Sequence, residues 1–303
     1  MSNLFYFILP ALGGYTVTSL YLLKNPHILH KRKCTVFHSK HISHRGGCGE
    51  RIESTMEAFT HAVEQGTGML ELDCHVTHDG HVVVSHDENL LRQTGHDVTL
   101  SSLDLKDLPL YKERLEVTFY AGVYHFLSLG ADRKFALLED LFRKFPDVPV
   151  NIEIKENNCL LIQKVSDLVK HYNREDITVW ATVDSSIMEN CHKLSQLSNY
   201  LPGLRGVLLL LLFYSGLLPF VPLGESFLQF YFPRIINRCV CVCALTMRKS
   251  LFNHLAARGI QVQLFVCNED QDIEAAFEVG ATGVMTDYPT LLSNYLSCNR
   301  CQD

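Results

Sequence analysis

Residues 44–90 read HRGGCGERIESTMEAFTHAVEQGTGMLELDCHVTHDGHVVVSHDENL, and within them the segment LELDCH at 70–75 has the alternation of a β-strand. Side chains of a β-strand point alternately to opposite faces, so Glu71, Asp73 and His75 share one face and the apolar residues between them share the other. In a barrel, the polar face of such a strand lies in the interior near the carboxyl-end mouth, where active sites are found. The alternative is an edge strand whose acidic side chains are solvated.

Outward from this segment, strand and helix patterns alternate. The predicted strands are 41–45, 69–76, 81–85, 150–154, 177–181, 262–266 and 283–286. The first predicted helix after residue 41 begins at a Ser54–Glu57 capping box. The helices predicted after it are 137–145, 160–172, 186–194, 248–257 and 270–279. This order predicts an α/β TIM (β/α)8 barrel formed by residues 40–295. Residues 97–134 indicate an insertion. The fifth and sixth strands are expected within 203–245, but the uniformly apolar run 203–223 does not show where they begin and end.

The N-terminus has the composition of a membrane helix. Residues 4–23 contain no charged side chain, and this length suffices to cross a bilayer core. Basic residues follow at once: Lys24, Lys31, Arg32, Lys33 and Lys40. The positive-inside rule therefore predicts an anchor at residues 1–24 with the catalytic domain facing the cytosol, on an intracellular membrane such as the endoplasmic reticulum. The alternatives are a cleaved signal peptide, which the absence of a small-residue cleavage site disfavours, and a buried hydrophobic helix.

Composition excludes several classes of protein. The chain has 303 residues, 47% of them hydrophobic and 20% charged, which excludes a disordered protein. Its net charge is −6 with acids and bases interspersed, so no basic stripe is present for a nucleic acid. The eleven cysteines are odd in number and scattered, which indicates reduced thiols rather than a disulfide framework.

Two predicted strands carry acidic side chains that suit a metal ion. Glu71 and Asp73 on one face would repel each other unless a cation lay between them, and carboxylate oxygens favour Mg²⁺ or Ca²⁺ over zinc. In the segment 151–155, Glu153 and Lys155 share one face and two isoleucines share the other, which makes Glu153 a third candidate ligand. Lys155 is a candidate partner for an anionic substrate. A structural ion pair inside the barrel is the alternative for these last two residues.

Histidines follow two predicted strands. His44 ends the first strand, and His86 ends the strand 81–85. A histidine at the tip of a barrel strand suits general acid or base catalysis, because its side chain titrates near neutral pH. Arg45 offers a planar fork for phosphate oxygens, and the glycines after it allow the backbone to approach a ligand. Of the fifteen histidines, several are interpreted as surface or core residues: His27, His30, His38, His61, His78 and His81.

Together these segments resemble the signature of the glycerophosphodiester phosphodiesterases, in the order HRG, E-N-T, an E-x-D strand, T-x-D-G and a final H-D. EIK at 153–155 and ATGVMTDYP at 281–289 resemble later motifs of the same barrels. The hydrophobic N-terminus, FYSGLLPFVP and AARG at 256–259 resemble the membrane-associated mammalian branch. That branch acts as lysophospholipase D on lysophospholipids and on glycerophospho-N-acylethanolamines.

The resemblance implies a role for each site residue. It implies His44 and His86 as the acid–base pair, Glu71, Asp73 and Glu153 as ligands of a divalent Mg²⁺ or Ca²⁺ ion, and Arg45 and Lys155 as phosphate contacts. The implied partners are lysophospholipid and glycerophosphodiester substrates and the lipid bilayer, against which the segment 203–223 would lie. By the family's mechanism, one histidine deprotonates the glycerol hydroxyl beside the phosphate and the other protonates the departing choline or ethanolamine oxygen. Which histidine does which stays open, as does the oligomeric state.

Departures from the family pattern leave rival interpretations open. Ser54 stands where the family has Asn, and Phe265 lies in a strand that usually carries Trp in the family. The stretch 227–246 is shorter than the corresponding part of the resembling enzymes. Loss of a barrel strand there would leave a non-catalytic membrane protein with an impaired barrel. A phospholipase C of the phosphoinositide type, which also uses two histidines, is a third class. The CVCVC run at 239–243 and the pair Cys298 and Cys301 are interpreted as structural or acylated rather than zinc-binding.

Overall fold

Eight parallel strands close into a ring in the computed structural model, which describes residues 2–118, 124–126, 132–182, 184–192, 198–200, 204–232 and 245–300. In ring order the strands are β1 (His41–Ser43), β2 (Met69–Val76), β7 (Val150–Glu153), β8 (Thr178–Thr182), β9 (Ser198–Tyr200), β10 (Phe227–Tyr231), β11 (Gln261–Phe265) and β12 (Gly283–Thr286). β1 pairs with both β12 and β2, which closes the circle. The predicted TIM (β/α)8 barrel is confirmed.

The fifth and sixth strands, which the sequence pattern did not reveal, are β9 and β10. β9 lies before the stretch 203–245 in which both strands were expected, whereas β10 lies inside it. β10 pairs with β11 over five residues, from Phe227 opposite Gln261 to Tyr231 opposite Phe265. β9 joins β8 to β10. The ring therefore lacks no strand, and the reason for expecting an impaired barrel is removed. The CVCVC run at 239–243 lies outside the described residues, as does Cys301.

Helices alternate with the strands close to the predicted positions. They are α1 (Ser2–Lys24), α2 (Met56–Glu64), α3 (Leu91–Thr94), α4 (Leu138–Lys144), α5 (Cys159–His171), α6 (Ser185–His192), α7 (Leu204–Tyr214), α8 (Lys249–Ala257), α9 (Asp270–Glu278) and α10 (Pro289–Arg300). Their inner faces pack on the strands: Leu161, Val165 and Val169 of α5, for example, are buried. Apolar spacing of three or four residues thus located α2, α4, α5, α6, α8 and α9, whereas α3, α7 and α10 were not predicted as helices.

The predicted start of α2 at a Ser54–Glu57 capping box is wrong by one residue. Thr55 is the N-cap, and its hydroxyl accepts a hydrogen bond from the backbone N–H of Ala58 at 3.2 Å. Ser54 instead has a φ of 60°, a left-handed conformation that Asn adopts more readily than Ser. Glu57 pairs with Arg51 and accepts from the N–H of Asp132. The position that Asn occupies in the family's E-N-T pattern therefore has to adopt a left-handed backbone conformation here and does not cap the helix.

The predicted strand 81–85 exists but lies outside the ring. It is β3 (Val82–Val84), which pairs antiparallel with the outer half of β2 and with β6 (Ala136–Leu137). β4 (Arg114–Glu116) and β5 (Tyr124–Phe126) form a separate hairpin in the predicted insertion. Because β3 runs back toward the barrel, the N–H of Ser85 donates to the carbonyl of Asp73 at 3.0 Å. This return brings the next residue, His86, to the barrel mouth.

The N-terminal helix contacts the loop that follows α7. The span Tyr6–Lys24 of α1 is long and apolar enough to cross a membrane, with a mean hydropathy of 1.3. The Tyr15 hydroxyl donates to the carbonyl of Ser215 at 2.5 Å, and the Ser19 hydroxyl donates to that of Gly216 at 2.7 Å. The eleven residues of α7 cover roughly 16 Å, about half of a bilayer core. Within the described residues, this apolar segment therefore forms no helix long enough for a second span.

Candidate active site

Three carboxylates meet at the carboxyl end of the barrel. Glu71 and Asp73 lie on β2, and Glu153 ends β7 directly opposite Asp73 in the strand register. One oxygen of each lies within 4.8 Å of the others. Alternation brings Glu71 and Asp73 to the interior face, and the parallel pairing of β2 with β7 adds Glu153. The predicted grouping of these three residues agrees with this geometry.

The cluster carries more negative charge than its surroundings favour. Burial, followed by the repulsion of Asp73, raises the pKa of Glu153 to about 8. The same two causes raise the pKa of Glu71. Burial also opposes ionisation of Asp73, but Lys155, whose Nζ lies 2.8 Å from Asp73 Oδ1, lowers the pKa of that carboxyl overall. Lys155 and Arg45 both favour ionisation of the cluster, yet the pKa values of Glu71 and Glu153 stay raised, so a further cation would stabilise the three carboxylates.

The donor set fits a hard divalent ion. All three candidate ligands are carboxylate oxygens, which Mg²⁺ and Ca²⁺ prefer. Asp73 Oδ2 is buried and has no hydrogen-bond partner among the described residues. An unpaired buried carboxylate oxygen is costly unless a cation satisfies it. The residues present therefore fit a metal ion at this position.

His44 lies beside this cluster in the turn after β1. Its Nδ1 is 2.6 Å from Asp287 Oδ1, and its Nε2 is 4.0 Å from Glu71 Oε2. Asp287 is itself held by two donors, the Cys48 thiol at 2.8 Å and the Asn268 amide at 2.7 Å. A carboxylate on Nδ1 favours a proton on that nitrogen, so Nε2 is the ring nitrogen that faces the cluster. Sequence reasoning did not assign a role to Asp287, although it stands in the motif ATGVMTDYP.

His86 has the same arrangement on the other wall of the mouth. Its Nδ1 is 2.5 Å from Asp87 Oδ1. Burial lowers the pKa of His86, although Asp87 and the more distant Asp73 act in the opposite direction. The prediction placed His86 at the end of a barrel strand, whereas it follows the antiparallel strand β3. Both histidines thus have an aspartate on Nδ1.

Arg45 was predicted to bind phosphate, and its guanidinium lies deep in the structure. Its Nη1 is 3.2 Å from Glu53 Oε2 and 3.0 Å from the hydroxyl of Thr118. Only 2% of the side chain is exposed. Its backbone N–H donates to Glu71 Oε2 at 2.9 Å. Arg45 therefore orients a cluster carboxylate through its backbone, and phosphate binding by its guanidinium stays a prediction.

The glycines after Arg45 allow a close approach of two chain segments. Gly47 has a φ of 91°, and a Cβ on it would lie 2.4 Å from the ring of Pro289. Only glycine fits both conditions. The turn that carries His44 is thereby locked against the segment that carries Asp287.

His75, on the same face of β2 as Glu71 and Asp73, does not join the acidic cluster. Its Nδ1 lies 3.0 Å from Glu88 Oε2 and 3.7 Å from Glu156 Oε1. Burial opposes its charge, but these glutamates raise the pKa of His75 overall. It lies in the part of β2 that pairs with β3, beyond the barrel ring. Sequence alternation assigned its face correctly but not its neighbours.

A family model and several known proteins are similar to this chain over most of its length. The model of the Glycerophosphoryl diester phosphodiesterase family matches residues 44–291. Human lysophospholipase D GDPD1 is 50% identical over 306 residues, which cover 96% of each chain. Human lysophospholipase D GDPD3 is 47% identical over 311 residues, which cover 98% of this chain and 97% of that relative.

Solved structures share the fold at lower identity. A glycerophosphodiester phosphodiesterase from Thermotoga maritima has a TM-score of 0.60 at 20% identity and covers 85% of this chain and 98% of its own. An Oleispira antarctica phosphodiesterase, solved with its product sn-glycerol-3-phosphate, has a TM-score of 0.59 at 17% identity. It covers 84% of this chain and 96% of its own.

Proposed function

This chain belongs to the glycerophosphoryl diester phosphodiesterase family and is a phosphoric diester hydrolase, and we propose that it acts as a lysophospholipase D. Its substrates are lysophospholipids, which it converts to lysophosphatidic acid plus choline or ethanolamine, and glycerophospho-N-acylethanolamines. Relatives named lysophospholipase D, similar over nearly the whole chain, support this specificity. Family membership removes the alternative of a phosphoinositide-type phospholipase C.

One observation carries the proposal: two histidines, each held by an aspartate, flank a buried cluster of three carboxylates. His44 is held by Asp287 and His86 by Asp87, at 2.6 and 2.5 Å. Cleavage of a phosphodiester by an internal hydroxyl needs one group to remove a proton and another to supply one. Two separately oriented imidazoles provide both groups. A binding protein would have no use for the pair.

The proton movements follow from this pair. One imidazole removes the proton of the glycerol hydroxyl next to the phosphate, and the oxygen of that hydroxyl forms a bond to phosphorus. The bond from phosphorus to the choline or ethanolamine oxygen breaks, and the other imidazolium gives that oxygen its proton. Water then opens the cyclic phosphate, with the two histidines reversing their roles. Internal attack benefits from proximity that a separate nucleophile would need binding energy to match.

Glu71, Asp73 and Glu153 would hold the divalent ion, which when bound neutralises charge on the phosphoryl oxygens. Lys155 lies at the rim of the cluster, with 29% of its side chain exposed and Nζ 2.8 Å from Asp73. From there its ammonium group reaches a phosphate oxygen. Arg45 adds a buried positive charge behind the same cluster. We assign phosphate binding to these two cations.

A membrane position suits single-chain lipid substrates. We propose that α1 anchors the protein at residues 1–24 in an intracellular membrane, the endoplasmic reticulum, with the barrel in the cytosol. α7 exposes Val207, Leu208 and Leu211, and the loop after α7 contacts α1. α7 follows β9, so it runs from the mouth side of the barrel toward the amino ends of the strands. An apolar surface along this path shortens the distance that an acyl chain travels through water, where each CH₂ costs about 0.8 kcal/mol.

Release of choline from lysophosphatidylcholine by the purified full chain tests the proposal. We expect turnover that EDTA abolishes and that Mg²⁺ or Ca²⁺ restores. The His44→Ala and His86→Ala variants serve as inactive controls for contaminating hydrolases. No release from lysophosphatidylcholine, lysophosphatidylethanolamine or a glycerophospho-N-acylethanolamine would contradict the proposed substrates.

A further inference from the structure

Arg92 bridges two carboxylates behind His86. Its Nε lies 2.6 Å from Asp87 Oδ2, and its Nη2 lies 2.5 Å from Glu53 Oε1. The other oxygen of Asp87 contacts Nδ1 of His86 at 2.5 Å. A continuous chain of charged contacts therefore runs from Glu53 through Arg92 and Asp87 to the imidazole.

Glu53 is a fixed point for this chain. Its side chain is 1% exposed, and it accepts from Gln93 at 2.9 Å as well as from Arg92 and Arg45. Burial opposes its ionisation, but Arg45 and Arg92 lower the pKa of Glu53 to about 2, so it stays charged. A buried carboxylate held by three donors has little freedom to move. Arg92 is thus attached at one end to a rigid part of the core.

The geometry of Arg92 matches a positioning role. Its planar guanidinium contacts Glu53 with one side and Asp87 with another, which fixes the direction of both carboxylates. Asp87 lies in the turn after β3 and is partly exposed, with 21% of its side chain accessible. Without Arg92, one of its oxygens would lose its charged partner, and the Asp87 side chain would be free to rotate away from His86.

We propose that Arg92 is a positioning residue for the reaction: held by Glu53, it orients Asp87 so that Asp87 sets the tautomer and direction of the His86 imidazole. This inference rests on the proposed function. It assigns Arg92 and Glu53, which contact no reacting atom, an effect on the rate of the chemical step. It also links the two walls of the site, since Glu53 binds Arg45 on one side and Arg92 on the other.

A double-mutant cycle on choline release tests the inference in the full chain. We expect Arg92→Met to lower kcat roughly 10- to 100-fold with KM changed less than about 3-fold, because misplacing a catalytic group costs rate rather than binding. Asp87→Asn should show a similar loss. The double variant should lose no more than about 3-fold beyond Asp87→Asn, because both changes break one chain of contacts. Independent, multiplied losses would overturn the inference, as would an unchanged kcat in Arg92→Met.

Arg133→Met is the matched control. Arg133 has the same 29% side-chain exposure and also contacts a glutamate, Glu113 at 3.3 Å, and a backbone carbonyl, but it contacts neither Glu53 nor Asp87 in the described structure. Its kcat should stay within about 2-fold of wild type. Ethylguanidinium at a non-denaturing concentration should raise the kcat of Arg92→Ala and leave Arg133→Ala unchanged. Failure of this rescue in a folded Arg92→Ala protein would count against the inference.

A spectroscopic measurement separates this inference from the proposed function. If wild type releases no choline, the proposed substrates are wrong, but ¹⁵N NMR of the His86 ring still reports its tautomer. We expect Nδ1 to be protonated in wild type and in Arg133→Met, and the two tautomers to be mixed in Arg92→Met. The same ring spectrum in wild type and Arg92→Met would refute the role of Arg92, whatever the substrate.

Discussion

Asp287 Oδ1 lies 2.6 Å from Nδ1 of His44, although 243 residues separate the two in sequence. β1 and β12 are neighbours in the closed barrel, and this pairing brings the first and last strand ends together. The contact exists only because the ring closes. It makes the C-terminal motif TDYP part of the catalytic mouth.

Asp287→Asn should lower kcat roughly 10²-fold or more while leaving the fold intact. An amide in place of the carboxylate no longer favours a proton on Nδ1, so the ring adopts the wrong tautomer for Nε2 chemistry. Substrate hydrolysis and circular dichroism measure the two effects. Asp140→Asn, which alters an exposed ion pair with Arg143, is the control and should keep full activity. Full activity of Asp287→Asn would mean that His44 needs no partner.

His44→Ala and His86→Ala should each reduce turnover roughly 10²-fold or more, because each removes one of the two proton-transfer groups. Far-UV circular dichroism should be unchanged. His78→Ala is a suitable control, since that side chain is 73% exposed and pairs only with Asp104 in the described structure. Activity retained in either site variant would remove that histidine from the mechanism.

Glu71→Gln, Asp73→Asn and Glu153→Gln should each weaken metal binding, and excess divalent ion should restore part of the activity. Each change removes one charged oxygen ligand from the cluster. Calorimetric titration with Mg²⁺ and with Ca²⁺ measures the affinity, and Glu139→Gln on the exposed face of α4 is the control. If all three variants bind metal as tightly as wild type, the ion does not lie in this cluster.

Metal affinity should rise with pH up to about 8. The raised pKa of Glu153 means that this carboxyl is protonated at neutral pH when no ion is bound, so the ion must displace a proton. Calorimetry in two buffers of different ionisation enthalpy should detect about one proton released at pH 7 and less at pH 9. Equal proton release at pH 7 and at pH 9 would contradict a raised pKa of Glu153 and its role as a metal ligand.

The raised pKa of Glu153 also predicts how the stability of the metal-free protein changes with pH. A folded-state pKa above the ordinary 4.5 penalises the folded state increasingly as pH rises above 4.5. Glu153→Gln removes this penalty, so the metal-free variant should have a higher Tm than metal-free wild type at pH 7 and a similar Tm at pH 4. A lower Tm at pH 7 would show that Glu153 is favourably paired there.

Glycosylation-acceptor tags placed after residue 35 and after residue 290 should report the same side of the membrane. Both positions flank strands of one closed barrel, which cannot form across a bilayer. The cytosolic orientation of the barrel predicts that neither tag is glycosylated in microsomes. A tag at an engineered N-terminal extension is the control and should be glycosylated. Opposite results for the two barrel tags would require a second crossing within 203–223.

Local patterns in the sequence were enough to predict most elements of the barrel and its first acidic residues. The predicted bounds of β12 agree with those observed, and α5 differs by one residue at each end, because alternation and helical spacing repeat within a few residues. The interior orientation of Glu71 and Asp73 follows from alternation alone. β9 and β10 were missed, because the first has the sequence Ser-Asn-Tyr, which lacks apolar alternation, and the second follows a uniformly apolar run that carries no periodic signal.

Contacts between segments far apart in the chain depend on how the barrel strands pair, which local sequence patterns do not reveal. The sequence shows that His86 follows β3, but it does not show that His86 lies near Glu53 and Arg92. The antiparallel return of β3 brings these three side chains together at one wall of the mouth. Sequence also determined that His75 shares a face with Asp73, whereas the outward extension of β2 places it with Glu88 instead. Strand periodicity specifies the direction of a side chain, and the pairing of strands far apart in the chain, set by burial and backbone hydrogen bonds, specifies what that side chain meets.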